Sequence, residues 1–220
     1  MRARWLGRVD YAAGLRLQEE ALAAHGVDGD VLLLLEHDPV YTTGRGGREE
    51  HLPAAAAGPV HRVSRGGDAT FHGPGQLVGY PVVDLRARGG DVRAYLRALE
   101  DAVVQTCAAF GLAAGRLPGR TGAWVGGPGT PGGWRKIASI GVGVRRGITQ
   151  HGFALNVSVD LAAFAAIVPC GIEGVVMTSL AHERVDPVPG IEAVARVAAA
   201  EVPLALAGRL GSGGAQREAR

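Results

Sequence analysis

The side chains best suited to chemistry in this chain are one cysteine, one lysine and the residues of a glycine-rich loop. Cys170 stands between Pro169 and Gly171, in a bend that neither helical nor strand periodicity claims. Proline and glycine constrain that backbone and remove bulk, which leaves the sulfur open to a cleft. A cysteine attacks as its thiolate and needs a cation or base beside it. Lys136, His72 and His151 are the candidates, each in a glycine-bearing segment. Of the 23 basic side chains only Lys136 is lysine and the rest are arginine. The exception suits a place where a proton must be lost, because lysine gives up its proton when desolvated and arginine does not. The second cysteine, Cys107, falls on the apolar stripe of a helix and reads as a buried small hydrophobe.

The loop Arg65-Gly-Gly-Asp-Ala-Thr-Phe-His-Gly-Pro-Gly-Gln76 runs directly into the apolar Leu77-Val-Gly-Tyr-Pro-Val-Val83. Its glycines permit close backbone approach, and Pro74 pushes Gly73 out of the helical region. Such a loop is a shaped wall that brings backbone N–H groups and His72 to a ligand.

Elements that would position these groups follow in order. Tyr11–Ala24 spaces its apolar residues as an amphipathic helix ended by Gly26. Val31–Leu35 is continuously apolar, as a strand covered on both faces would be. Glu36–Arg45 reads as a polar loop, and Gly79–Leu85 as the next strand. Asp91 opens a helix whose Leu96, Leu99, Val103, Cys107 and Phe110 recur at three- and four-residue steps until Gly111. Gly119–Val125 and Trp134–Val144 read as a hairpin across the glycine-rich turn Gly126–Gly133, and Ile148–Ser158 as a further strand. Leu161–Ile167 is a short helical turn, Thr178–Glu183 carries a capping-box pattern for a short helix, and Gly190–Leu210 is a closing helix. Strands outnumber helices mid-chain, so the expected class is α/β (α+β) with a mixed, largely antiparallel sheet flanked by helices. Residues 1–210 read as a single domain and 211–220 as a disordered tail.

Composition narrows the partners. A net charge of +2 over 220 residues, with scattered basic residues and few aromatics, argues against nucleic-acid binding. No apolar run approaches the ~20 residues of a membrane span, and the N-terminus lacks a signal pattern, so a cytoplasmic protein is expected. Two cysteines and no Cys/His cluster of zinc spacing argue against a disulfide framework or a metal site.

Several blocks together resemble the lipoyl(octanoyl) transferase family: Arg65-Gly-Gly followed by Thr70–Pro81, Gly122–Val125, Lys136–Gly141, His151–Asn156, and Pro169-Cys-Gly171 followed by Thr178-Ser-Leu180, with Glu36-His and Val40–Arg45. The resemblance implies the fold of lipoate and biotin protein ligase catalytic domains. It implies transfer of an octanoyl group from acyl carrier protein to a lysine on lipoyl domains of 2-oxoacid dehydrogenase E2 subunits and of the glycine-cleavage H protein. No cofactor or ATP is implied. Cys170 corresponds to the acyl-thioester nucleophile and Lys136 to its activating partner. Substrate contacts correspond to Arg65, Gly66, Gly67, Asp68, Ala69, Thr70, Phe71 and His72, to Ser139, Ile140 and Gly141, and to Gly152, Phe153 and Ala154. Phe71 and Phe153 stand where tyrosine and leucine are common, and both are expected to keep an apolar wall. An ATP-dependent ligase of the same fold would carry a His-Asp-x-Gly-Asn type block where this chain has His72–Gln76.

Overall fold

The computed structural model describes residues 1–52 and 60–210. The apolar run Val31–Leu35 lies inside strand β2 (Val31–His37), and both of its faces are buried. Leu32 and Leu34 pack into the main core against helices α2 (Val92–Ala108) and α3 (Ile191–Leu210). Val31, Leu33 and Leu35 belong to a second cluster whose flank includes Leu17 and Ala21 of helix α1 (Tyr11–Asp28). A strand sandwiched in this way has no solvent face to encode, which is why its sequence does not alternate.

The sheet runs β1-β2-β6-β10-β9-β8-β7, with β11 pairing β9 off that path. Its remaining strands are β1 (Arg2–Val9), β6 (Gln76–Val82), β7 (Ala114–Leu117), β8 (Arg120–Val125), β9 (Arg135–Arg145), β10 (Ile148–Asn156) and β11 (Val176–Met177). Within this sheet, among the described residues, only β1 with β2 and β11 with β9 pair in parallel. The antiparallel pairs are β2–β6, β6–β10, β10–β9, β9–β8 and β8–β7. The expected hairpin of Gly119–Val125 with Trp134–Val144 is present as β8–β9. Asp91 caps α2 by accepting from Arg93 and Ala94 backbone N–H groups at 2.8 and 3.0 Å. Cys107 is fully buried in the main core, and that burial pushes its thiol up to about 12.

Two segments depart from expectation, and one strand was not foreseen. Glu36–Arg45 is not simply a polar loop: Val40–Thr43 is strand β3, wholly buried, in a second sheet of order β4-β3-β5 with β4 (Val60–Arg62) and β5 (Thr70–His72). Its β-branched and aromatic residues favour that conformation. Thr178–Glu183 is a turn rather than a helix. Thr178 Oγ1 donates to Glu183 Oε1 at 2.6 Å, but Glu183 spends both carboxylate oxygens on Arg135, at 2.7 and 2.8 Å, and pins the turn to β9. Arg2–Val9, which carries no strand pattern strong enough to predict, forms an edge of the sheet by pairing with β2. The expected tail 211–220 lies outside the described residues. No helix among the described residues is long and apolar enough to cross a membrane.

Candidate active site

Cys170 and Lys136, 34 positions apart in sequence, meet at a 3.1 Å contact from Lys136 Nζ to Cys170 Sγ. Strand β11 makes this possible. Val176 and Met177 pair with Arg135 and Lys136, and Thr178 N donates to the Lys136 carbonyl at 2.9 Å. The segment carrying Cys170 is thereby tied to the strand carrying Lys136. Cys170 itself adopts φ 59°, ψ 18° within the turn Pro169–Gly171. A left-handed backbone at a non-glycine residue costs of order 1–3 kcal/mol and persists where surrounding contacts over-determine it. Here the Cys170 N–H donates to the Ala69 carbonyl at 2.8 Å, and the Gly171 N–H to the Val168 carbonyl at 3.0 Å. Gly171 is at φ 64°, and a Cβ there would lie 2.7 Å from Asp68 Oδ2. Only glycine fits between the cysteine turn and that carboxylate.

Lys136 is nearly inaccessible at 2% exposure. Its ammonium also donates to the Thr121 carbonyl at 3.1 Å and lies 5.2 Å from the Trp124 ring centroid. Ser139 Oγ stands 3.6 Å from the same sulfur. The sulfur therefore has an ammonium and a hydroxyl as neighbours, and the ammonium is held by a carbonyl and an aromatic face.

Behind this pair lies a cavity of about 550 Å³, a size suited to a small-molecule ligand. Of the first expected set, Arg65, Gly67, Asp68, Thr70 and His72 line it. So do Ser139, Ile140, Gly141, Gly152, Phe153 and Ala154, together with Cys170 and Lys136. Gly66, Ala69 and Phe71 take other places. Gly66 N bonds the Val142 carbonyl at 2.8 Å, and Ala69 receives the Cys170 amide. The Phe71 ring packs against Tyr41 and Phe164, 5.1 and 5.7 Å between centroids, in a separate apolar cluster. Strand alternation accounts for this correction: Thr70 and His72 face the cavity, so Phe71 between them must face away. The Phe153 ring lies against Gly79, which has no side chain to displace it, and joins the main core.

The cavity's polar walls are hydrogen-bonded to one another. Arg65 is buried, with Nη2 donating to Thr42 O and Oγ1, each at 3.0 Å, and to Asp68 O at 2.8 Å. His72 Nδ1 bonds Gln76 Oε1 at 2.7 Å, and Gln76 Nε2 donates to Asn156 Oδ1 at 2.9 Å. Burial, reinforced by nearby His37, pushes His72 down to about 3, and burial beside Arg65 pushes His151 down to about 4. Both rings are neutral at ordinary pH. Asp68 accepts from Ala69 N at 2.6 Å and lies 2.5 Å from His51 Nδ1. Among the described residues no group of His, Cys, Asp and Glu has the geometry of a metal site.

The sequence profile of the lipoyl protein ligase A/B catalytic domain matches residues 10–202. The chain belongs to that family. It is similar to the octanoyltransferase of Geobacter metallireducens, 51% identical over 212 residues that cover 96% of this chain and 95% of the relative. In fold it is similar to a bipartite lipoate protein ligase of Thermoplasma acidophilum, with TM-score 0.66 at 19% identity over 96% of this chain and 83% of that one. It is also similar to a biotin protein ligase of Aquifex aeolicus, with TM-score 0.59 at 13% identity over 96% and 72%. As a member of the lipoyl protein ligase A/B family the chain has the mixed, largely antiparallel sheet expected of it.

Around this cavity, sequence reasoning missed Tyr11, Val78, Tyr80, Ile172, the β7–β8 turn Pro118-Gly119 and the first residues of β8, Arg120 and Thr121, all of which line it. Thr121 leaves no signal because it contributes a backbone carbonyl, which any residue supplies. Tyr80 did leave one: a tyrosine inside an apolar strand needs a buried partner, found in His37 Nε2 at 2.7 Å.

Proposed function

We propose that this enzyme moves an octanoyl group from an acyl carrier protein to a lysine of a lipoyl domain, through a thioester on Cys170 and without ATP. The 3.1 Å contact between the Lys136 ammonium and the Cys170 sulfur, at a cavity able to hold an acyl chain, carries this reading. The octanoyltransferase of Geobacter metallireducens, similar over nearly the whole chain, supports the acyl group named.

Cysteine attacks as its thiolate, and the Lys136 amino group beside the sulfur is placed to hold the proton. The thiolate attacks the donor's thioester carbonyl, and the S–C bond to the carrier's thiol breaks. That departing sulfur takes the Lys136 proton, leaving a Cys170 thioester and a neutral Lys136 amine. An acceptor lysine amine then attacks the thioester. Its surplus proton passes to Lys136 as Cys170 leaves as thiolate, which restores the starting charges. One thioester is exchanged for another of similar energy, so no nucleotide is required. Because the Cys170 amide is committed to the Ala69 carbonyl and the Gly171 amide to the Val168 carbonyl, donors to the developing oxyanion come from the glycine-rich walls. The acceptors are lipoyl domains of 2-oxoacid dehydrogenase E2 subunits and the glycine-cleavage H protein.

The test mixes enzyme, octanoyl carrier protein and an apo lipoyl domain without nucleotide. The expected result is an octanoyl adduct on Cys170 by peptide mass analysis, then an octanoylated acceptor lysine. Product formed from free octanoate, ATP and magnesium, with no adduct on Cys170, would show an activating ligase instead.

A further inference from the structure

The acyl cavity runs along the β9–β10 pair, in which Ser139 is paired with Ala154, Gly141 with Gly152 and Val142 with His151. Ser139 marks the reactive end, at 3.6 Å from the Cys170 sulfur. From Ala154 to His151 is three strand residues, about 10 Å. An extended eight-carbon chain is about as long as that span, and both Cys170 and His151 line the cavity.

His151 is unusual in three ways. Its backbone is left-handed, φ 58°, inside a strand. His151 lines the cavity, as do the next three residues of the strand, Gly152, Phe153 and Ala154. The ring is held there by Ser64 Oγ at 3.2 Å from Nε2, while the backbone N–H donates to Gln18 Oε1 at 2.8 Å. Finally, among the described residues His151 alone lines both the acyl cavity and a neighbouring pocket of about 300 Å³, whose walls include Leu15 and Val63 beside the polar Ser64, Glu19 and Arg62. His151 thus stands between the two spaces.

We infer that His151 is the end-stop of the acyl cavity and sets the upper limit of chain length. This rests on the acyl-transfer reading above. A ten- or twelve-carbon chain has to push the imidazole aside, breaking its bond to Ser64, before it enters the second pocket. Octanoyl does not.

The test loads wild-type enzyme with carrier protein bearing six-, eight-, ten- and twelve-carbon acyl groups and measures the Cys170 adduct rate by intact mass. The wild type should load the twelve-carbon group at least tenfold more slowly than the eight-carbon group. In His151→Gly the ratio should rise at least tenfold toward unity, because glycine adopts this φ freely and the two spaces merge. His151→Asn, which also tolerates a left-handed backbone, gives a second, smaller side chain and an intermediate ratio. Equal wild-type loading of eight and twelve carbons, or an unchanged ratio in folded variants, overturns the end-stop. Failure to form any adduct with any donor would instead count against the acyl-transfer reading.

Discussion

Lys136 and Ser139 lie three residues apart on β9, and both reach the Cys170 sulfur, at 3.1 and 3.6 Å. A regular strand would turn them to opposite faces. Between the pairs Ala123–Ala138 and Trp124–Lys136, however, β9 carries one residue more than β8. The surplus residue, Ile137, is a bulge, and Ile137 and Ala138 sink consecutively into the main core. Lys136 is thereby re-aimed to the face of Ser139. The Lys136–Cys170 contact depends on this local irregularity.

Lys136→Arg keeps the charge and removes the capacity to shuttle a proton at neutral pH. The site is also tight: a Cβ on Gly122 would already lie 2.9 Å from Lys136 Cε. Turnover should fall by roughly 10²–10⁴-fold, the usual worth of a positioned acid–base group. Steady-state octanoyl transfer alongside near-UV circular dichroism checks this, and near-normal rates would remove the lysine from the mechanism.

Cys170→Ser should retain fold and carrier-protein binding but form no adduct detectable by intact mass. Losing the nucleophile should lower turnover by at least about 10³-fold. An adduct mapped to Cys107 in this variant is the contrary outcome. It is not expected, because Cys107 is buried with its thiol pushed up to about 12.

Gly122→Ala tests the seating of Lys136. Gly122 is at φ 124°, and a Cβ there would stand 2.5 Å from the Ala138 carbonyl. The substitution should destabilise the fold by about 1–3 kcal/mol, read from the urea midpoint, and lower turnover by displacing the ammonium. Unchanged stability would mean that β8 shifts freely away from β9.

Stability should fall in mild acid. His72 is held down at about 3 and His151 at about 4 in the folded chain, against about 6.5 when unfolded. Below pH 6.5 the unfolded chain therefore binds more protons, and this part of the stability, complete above 6.5, is lost as pH falls toward 4. The slope is at most about 1.4 kcal/mol per pH unit for each histidine. Urea midpoints at pH 7.5, 6.5 and 5.5 should decline in that order, and equal midpoints at the two ends would contradict the buried, neutral assignment.

By itself the sequence determined the parts whose signals are local. The apolar run of β2, the capped helix opened by Asp91, the β8–β9 hairpin and the buried Cys107 follow from periodicity, capping chemistry and turn composition, which act over a few residues. The solitary lysine and the Pro169-Cys170-Gly171 bend were likewise visible as candidates. Tertiary structure alone decided that they meet. The short parallel pairing of β11 with β9 closes a 34-residue separation, the Ile137 bulge turns Lys136 to the correct face, and the left-handed turns at Cys170 and His151 aim the sulfur and the imidazole. Each of these depends on long-range hydrogen bonds and packing that outweigh local preference. Thr178–Glu183 forms no helix for a simpler reason: Glu183 follows Thr178 by five residues where a capping box needs three, and it instead closes a turn and pairs with the distant Arg135.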